Sequence, residues 1–230
     1  MSQDTLGERL AAVEARIAAA CSSASRPRTD VTLIAVSKGH PVSALAEAYA
    51  LGLREFGENY AQELELKAEQ LQHLTNLRFH FIGHLQSNKA RTIVRHAYCV
   101  QAVDSASLAR ELGKRAHAAG FALPVLVEVN VGGEPQKHGV LSSELEPLLD
   151  AISAEAGLRL QGLMTVPPDD EARTREAFDA LRLLRALHGG PPRLPWLSMG
   201  MSADLDIAIA HGATHVRVGT ALFGPRAAKD

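Results

Sequence analysis

Lys38 stands where an amine can do chemistry. It closes the apolar run VTLIAVSKGHP, and Gly39 and Pro41 follow it closely. The β-branched residues of that run predict a buried strand rather than a helix. A strand end gives a lysine little reach to carry its charge out into water. Burial favours the neutral amine, which can attack a carbonyl to form a Schiff base. Taken alone, Lys38 is better explained as a solvated rim lysine. The far end of the chain shifts that balance.

There the sequence WLSMGMSADLDIAIAHGATHVRVGTALFG holds two small-residue turns, each before a predicted helix. In the first, Ser198, Met199, Gly200 and Met201 lead to Ser202, read as an N-cap, with Asp204 in the acidic first turn. In the second, the strand THVRV runs into Gly219 and Thr220. Glycine lets a backbone approach a ligand, and unpaired N–H groups at a helix start favour a phosphate. Two such turns separated by one helix point to a single anion site.

The elements that must position these groups alternate along the chain. An amphipathic helix carrying Leu6, Leu10, Val13 and Ile17 comes first. Predicted strands then cover 31–37, 54–57, RFHFIG, YCVQAVD, LPVLVEVNV, LRLQGLMTV, LPWLSM and ATHVRVG. Between them lie predicted helices at 42–51, from Tyr60 through the Leu64, Leu71, Leu74 stripe, and at 87–96, 108–119, 145–152 and 171–188, with short helices after the last two strands. Continuous strand–helix alternation over roughly 200–250 residues is the pattern of a (β/α)8 barrel. The reading is therefore α/β, a single (β/α)8 TIM barrel with an extra N-terminal helix, and residues 1–230 form one domain. A doubly wound open sheet is the alternative.

In such a barrel the chemistry sits at the C-terminal ends of the strands. Lys38, Asn59, His84, Lys137, Ser198 and Gly219 all fall at or just past predicted strand ends. Strands one and eight become neighbours on closure. Side chains alternate along a strand, so Ile34, Val36 and Lys38 share a face, as do His215 and Arg217. If both faces point inward, an amine and a guanidinium line the mouth.

The segments LIAVSKGHP, EFGENYAQE, FHFIGHLQSNK, GLMTVPP, LSMGMSADLDIAI and THVRVGTALFG together resemble the pyridoxal phosphate homeostasis protein family, also called the proline-synthase co-transcribed family. The resemblance spans nearly the whole chain. It implies a barrel similar to the N-terminal domain of alanine racemase, with pyridoxal 5'-phosphate carried on Lys38. It also implies that Arg217 meets the pyridine nitrogen and that Ser198, with the backbone at Gly219 and Thr220, holds the phosphate. Asn59, Met199 and Gly200 sit in matching motifs and are expected to line the pocket. The implied role is buffering or delivery of the cofactor, with apo forms of pyridoxal-phosphate enzymes as possible recipients. An arginine at the pyridine nitrogen opposes its protonation and makes the ring a poorer electron sink, where a transaminase would want a carboxylate.

A pyridoxal-phosphate-dependent amino-acid racemase is the alternative. Its two-domain relatives use a tyrosine from an additional domain as second base. Here the chain ends at Asp230, straight after the last predicted helix, and Tyr49, Tyr60 and Tyr98 fall on barrel elements. A third reading, a barrel enzyme for another phosphate, leaves the Lys38–Arg217 pairing unexplained.

Other residues have plainer readings. His80 and His84 are four apart in a strand-to-turn segment, where that spacing does not converge on a metal as it would on a helix. No metal site is expected, and His80 is expected to be a hydrogen-bonded interior residue. Lys137 is a solvated loop lysine, or a second amine near the mouth that accepts the aldehyde in transfer. Gln86, Asn88 and Lys89 cap a helix start or edge the pocket, and Phe81 and Trp196 are core.

The composition, 46% hydrophobic and 22% charged with a formal net charge of −2, argues against disorder and against a global field for nucleic acid or an anionic membrane. Two cysteines, Cys21 and Cys99, are too few for a disulfide framework. The acidic residues of the first segment do not fit a signal peptide, and no stretch is long enough to span a bilayer. A cytoplasmic protein, probing no membrane, is expected, and nothing supplies an obvious dimer element, so a monomer is expected.

Overall fold

Among the described residues, eight short strands hydrogen-bond in chain order, each parallel to the next, and the last pairs with the first. They are β1 (Thr32–Val36), β2 (Glu55–Glu58), β3 (Arg78–Phe81), β4 (Cys99–Val103), β5 (Leu123–Glu128), β6 (Leu158–Met164), β7 (Trp196–Ser198) and β8 (His215–Val218). The computed structural model describes residues 4–168 and 170–225. The (β/α)8 barrel expected from the strand–helix rhythm is what forms, and Asp230 lies outside the described residues.

The helices are α1 (Leu6–Ser23), α2 (Val42–Ala50), α3 (Ala61–Gln70), α4 (Ala90–His96), α5 (Ala106–Ala118), α6 (Leu145–Ser153), α7 (Glu171–Leu187), α8 (Gly190–Arg193), α9 (Leu205–Ala210) and α10 (Thr220–Phe223). Leu45, Leu64, Ile93 and Leu112, one from each of α2 to α5, are fully buried against the barrel's outer face. Each such side chain contributes about 1.5–3 kcal/mol by leaving water. The N-terminal helix starts on a capping box: the Thr5 hydroxyl accepts from the Glu8 N–H while the Glu8 carboxylate accepts from the Thr5 N–H.

Several boundaries differ from the sequence reading. The Leu64, Leu71, Leu74 stripe continues at helical spacing, yet α3 stops at Gln70; Leu71 is buried from the C-cap instead. Ser87–Lys89 is a 3-10 turn ahead of α4. Ser202 is not the N-cap of α9; Asp204 holds that position, and its carboxylate accepts from the Met201 N–H. The Gly-Pro-Pro-Arg segment forms the extra short helix α8, with proline at its start where no N–H is needed.

Register fixes which residues fill the interior. Ile34 pairs with Arg217, Val36 with Gly57, Gly57 with His80, and Ser198 with His215. Paired positions in parallel strands share a face, so these side chains all point inside. Leu33, Ala35, Val216 and Val218 point outward into the main core.

Candidate functional site

A cavity of about 420 Å³ opens at the C-terminal end of the barrel, between β1, β2 and β8. Lys38, Asn59, Arg217, Gly219 and Thr220 line it, together with Met201 and Ser202. The first two strand ends thus meet the last one, as closure of the barrel requires.

Lys38 is half-buried, two residues past the end of β1. Its neighbours on both sides are held by charge. The Gly39 N–H donates to Glu63 at 2.8 Å. The Ser37 hydroxyl donates to Glu58 Oε1 at 2.6 Å, and the Ser37 carbonyl accepts from Lys67 Nζ at 2.8 Å. Lys67 also donates to Glu58 at 2.6 Å and to Glu63 at 3.1 Å, which uses all three of its donors. Glu58 is 0% and Lys67 3% exposed, outside the barrel wall and under α3. Burial pushes the Glu58 carboxyl up, and the Lys67 charge opposes it. A buried ion pair therefore fixes the turn that carries Lys38.

Arg217 is 4% exposed and sits at the end of a polar chain running through the barrel. Its Nη1 donates to Ser198 Oγ at 2.8 Å and its Nη2 to the Thr165 carbonyl at 2.8 Å. Ser198 in turn donates to Gln101 Oε1 at 2.6 Å, and Gln101 meets His80 Nδ1 at 3.0 Å. The other ring nitrogen, Nε2, meets Glu55 at 2.8 Å. His80 is thus the hydrogen-bonded interior residue expected of it. Five strands, β2, β3, β4, β7 and β8, supply this chain, and its effect is to hold the guanidinium in one orientation. Burial lowers Arg217 to about 10, while Glu128 and Asp204 pull the other way, so it stays cationic at neutral pH.

The expected residues divide into two groups. Lys38, Asn59, Arg217, Gly219 and Thr220 converge on the cavity. Ser198, Met199 and Gly200 lie off its lining. The pleat sends Ser198 inward, where its hydroxyl is engaged by Gln101 and Arg217, and sends Met199 out into the core. Gly200 turns the chain with φ of 95°, and a Cβ there would lie 2.5 Å from that of Ala208. Its carbonyl accepts from the Arg217 N–H at 2.9 Å, so it seats β8 against this turn.

The serine hydroxyl at the cavity is that of Ser202, which accepts from the Ala221 N–H at 3.4 Å across the two turns. Arg16 of α1 donates to the Ser202 carbonyl and pairs with Asp206, holding the turn from outside. The first N–H groups of α10 have no intrahelical acceptor, as at any helix start. Asn59 is set by a close crossing: a Cβ on Gly83 would meet the Asn59 carbonyl at 2.3 Å. Asn59 Oδ1 is buried without a hydrogen-bond partner in the protein. Sequence reasoning placed Ser202 in a capping role, and only the register of the two turns shows it at the cavity.

Two buried groups give the interior an unusual titration. Burial pushes Glu128 up from its ordinary 4.5 to about 7, with Asp104 adding to the shift and Arg217 opposing it. A folded-state value above the unfolded one gives stability that is complete below about 4.5 and is lost as pH rises toward 7. His215 is the reverse case. Burial first, then His80 and Arg217, lower it to about 3, so its contribution is complete above 6.5 and is lost as pH falls toward 3. Between about 4.5 and 6.5 the two slopes oppose. Glu128→Gln removes one of them, so the variant should gain on wild type by about 1–3 kcal/mol as pH rises from 4.5 to 7. Urea melts of the cofactor-free proteins at stepped pH measure this; a difference that stays flat across the window would contradict it.

The remaining candidates are placed as follows. Lys137 pairs with Glu134 at 3.0 Å in the loop after β5 and lines a separate cavity of about 200 Å³ with Glu128 and His138. Gln86 and Lys89 edge a third cavity, about 220 Å³, that shares Asn59 with the first. Phe81 is 1% exposed, and Trp196 packs on His215 at 4.5 Å between ring centroids. None of Tyr49, Tyr60 and Tyr98 lines the Lys38 cavity. Cys21 and Cys99 are buried free thiols, and no helix among the described residues is long and apolar enough to cross a membrane.

Residues 9–227 match the family described as alanine racemase, N-terminal domain. The chain is 46% identical over 225 residues to the pyridoxal phosphate homeostasis protein of Pseudomonas aeruginosa, covering 96% of each. Among solved structures it superposes on PipY of Synechococcus elongatus with PLP bound, at a TM-score of 0.84 and 39% identity, over 96% of this chain and 100% of that one. Alanine racemase from Corynebacterium glutamicum shares the fold at 21% identity and a TM-score of 0.65, with 95% of this chain matching 62% of that one.

Proposed function

This chain belongs to the alanine racemase N-terminal domain family, on the branch of the pyridoxal phosphate homeostasis proteins, and from that membership we propose that it binds pyridoxal 5'-phosphate and buffers or delivers it. One observation carries the reading: a half-buried amine, a buried guanidinium and a two-turn anion cradle line a single cavity. Asn59 adds a buried polar atom without a protein partner, which suits a ligand bearing ring substituents that hydrogen-bond.

When bound, the cofactor supplies an aldehyde carbon open to attack by an amine. Lys38 provides that amine, presented by the Ser37–Gly39 turn that Lys67, Glu58 and Glu63 hold. Gly219, Thr220 and Ser202 take the phosphate. Arg217, fixed by Ser198 and the Thr165 carbonyl, keeps a positive charge at the pyridine nitrogen and disfavours a proton there. Ser198 acts by orienting Arg217, and Gly200 and Met199 by supporting the turn. We read residues 1–230 as one cofactor-binding unit, a monomer whose partners are apo-enzymes. A cytoplasmic setting suits the two buried thiols, which form no disulfide.

Carriage is preferred to racemisation because Arg217 leaves the ring a weak electron sink and, among the described residues, none of Tyr49, Tyr60 and Tyr98 lines the cavity. The decisive experiment loads the protein with cofactor and adds an apo-enzyme. Transfer faster than release to buffer, with alanine turnover far below the ordinary range of roughly 1–1000 per second, supports the proposal. Turnover inside that range would sink it.

A ligand comparison tests the cradle. Pyridoxal lacks the phosphate, so the Gly219–Thr220 and Ser202 turns have no anion to hold. Hydrogen bonds to charged groups contribute about 1.5–3 kcal/mol each, so losing two should weaken binding by well over tenfold. Titration followed by absorbance measures both affinities, and equal values would assign these turns another use.

A further inference from the structure

Three consecutive strands end in loops that bring together residues far apart in sequence. His84 follows β3, Asp104 follows β4 and His138 lies in the long loop after β5. We propose that these three side chains form a binding site for a divalent transition-metal ion of the zinc class at the barrel mouth. Their candidate ligand atoms all lie within 4.8 Å of one another. His84 Nδ1 is 3.5 Å from Asp104 Oδ2, and the two imidazole rings stack with centroids 4.0 Å apart and a 10° tilt.

The chemistry of the set selects the ion. Two imidazole nitrogens and one carboxylate oxygen suit zinc, nickel, cobalt or copper, whereas magnesium and calcium prefer oxygen throughout. Three protein ligands leave at least one coordination position for water or an oxygen-bearing molecule, the pattern of open rather than closed zinc sites. Stacked rings point their lone pairs side by side, so one ring must turn about χ2 for both to reach one ion. That torsion is broad for histidine, and His84 and His138 are both exposed. Asp104 is the more fixed member, with a side chain 19% exposed beside the buried Glu128. The sequence reading set His84 against His80 and found no carboxylate to complete a set. The barrel instead turns His80 inside and joins His84 to Asp104 and His138.

The site is separate from the cofactor lining, since none of the three residues borders the Lys38 cavity. It also has a competitor elsewhere on the surface, where Glu65, Glu69 and His96 place ligand atoms within 4.8 Å between α3 and α4.

The test uses untagged, chelator-stripped protein and zinc chloride in equilibrium dialysis, with cobalt chloride as a visible-absorption probe of coordination. Wild type should take up one zinc at the rim and show the cobalt d–d bands of a nitrogen–oxygen site. His84→Ala, Asp104→Asn and His138→Ala should each weaken zinc binding at least tenfold, since losing even outer partners of a metal ligand costs 10–100-fold. Metal-free melting temperatures of the two histidine variants should match wild type, which separates lost ligation from lost folding. His96→Ala should keep the ion. Absence of zinc uptake in wild type, or loss of the ion in His96→Ala with retention in His138→Ala, overturns the assignment.

Discussion

Lys38→Ala should leave a folded barrel that no longer fixes pyridoxal phosphate. In wild type, borohydride treatment of the loaded protein should place a pyridoxyl mass on the peptide containing Lys38 and bleach the visible band. The variant should lose that adduct and at least tenfold in cofactor retained through gel filtration. The fold should survive, because Lys38 is half-buried at a turn and its neighbours are anchored by backbone and by their own side chains. A rim truncation of this kind ordinarily stays within about 0.5 kcal/mol of wild type. Mapping the wild-type adduct mainly to Lys137 or Lys89 would overturn the assignment. Lys137 lines a different cavity, and Lys89 edges the third.

The barrel was readable because parallel strands covered on both faces leave near-continuous apolar runs, such as LIAV and LPVLVEV, separated by amphipathic segments. The meeting of Lys38 and Arg217 was readable for the same reason. Closure makes β1 and β8 neighbours, and strand alternation puts Ile34 opposite Arg217 on the inner face. What holds Arg217 was not readable. Glu55, His80, Gln101 and Ser198 come from four strands, and nothing local in their segments says that their polar ends will meet. The family resemblance implied a phosphate role for Ser198, at the start of a small-residue turn. The pleat points Ser198 inside, where Gln101 and Arg217 engage its hydroxyl, while Ser202, past the positive φ of Gly200, lines the cavity. Asp104 and His138 were invisible as partners of His84 for the same long-range reason.

Lys67→Met should be the most destabilising single change outside the apolar core. Lys67 reads as one more charge in the polar helix AQELELKAEQ, yet it is 3% exposed and spends all three donors on Ser37, Glu58 and Glu63. Methionine fills the space of the stem but leaves Glu58, fully buried, without its counter-charge. Removing one partner of a buried pair typically costs about 3–5 kcal/mol. For a chain of this length that is a fall in melting temperature on the order of 6–20 °C. Adding Glu58→Gln removes the stranded charge, and the double variant should recover at least half of the loss. The pair also seats the Ser37 carbonyl, so the single variant should bind cofactor more weakly even at temperatures where it is folded. Calorimetry of the two variants, with cofactor titration at 15 °C, reads both effects. A single variant within 1 kcal/mol of wild type, or a double variant no more stable than the single, would mean that the ion pair is not what holds the lysine-bearing turn.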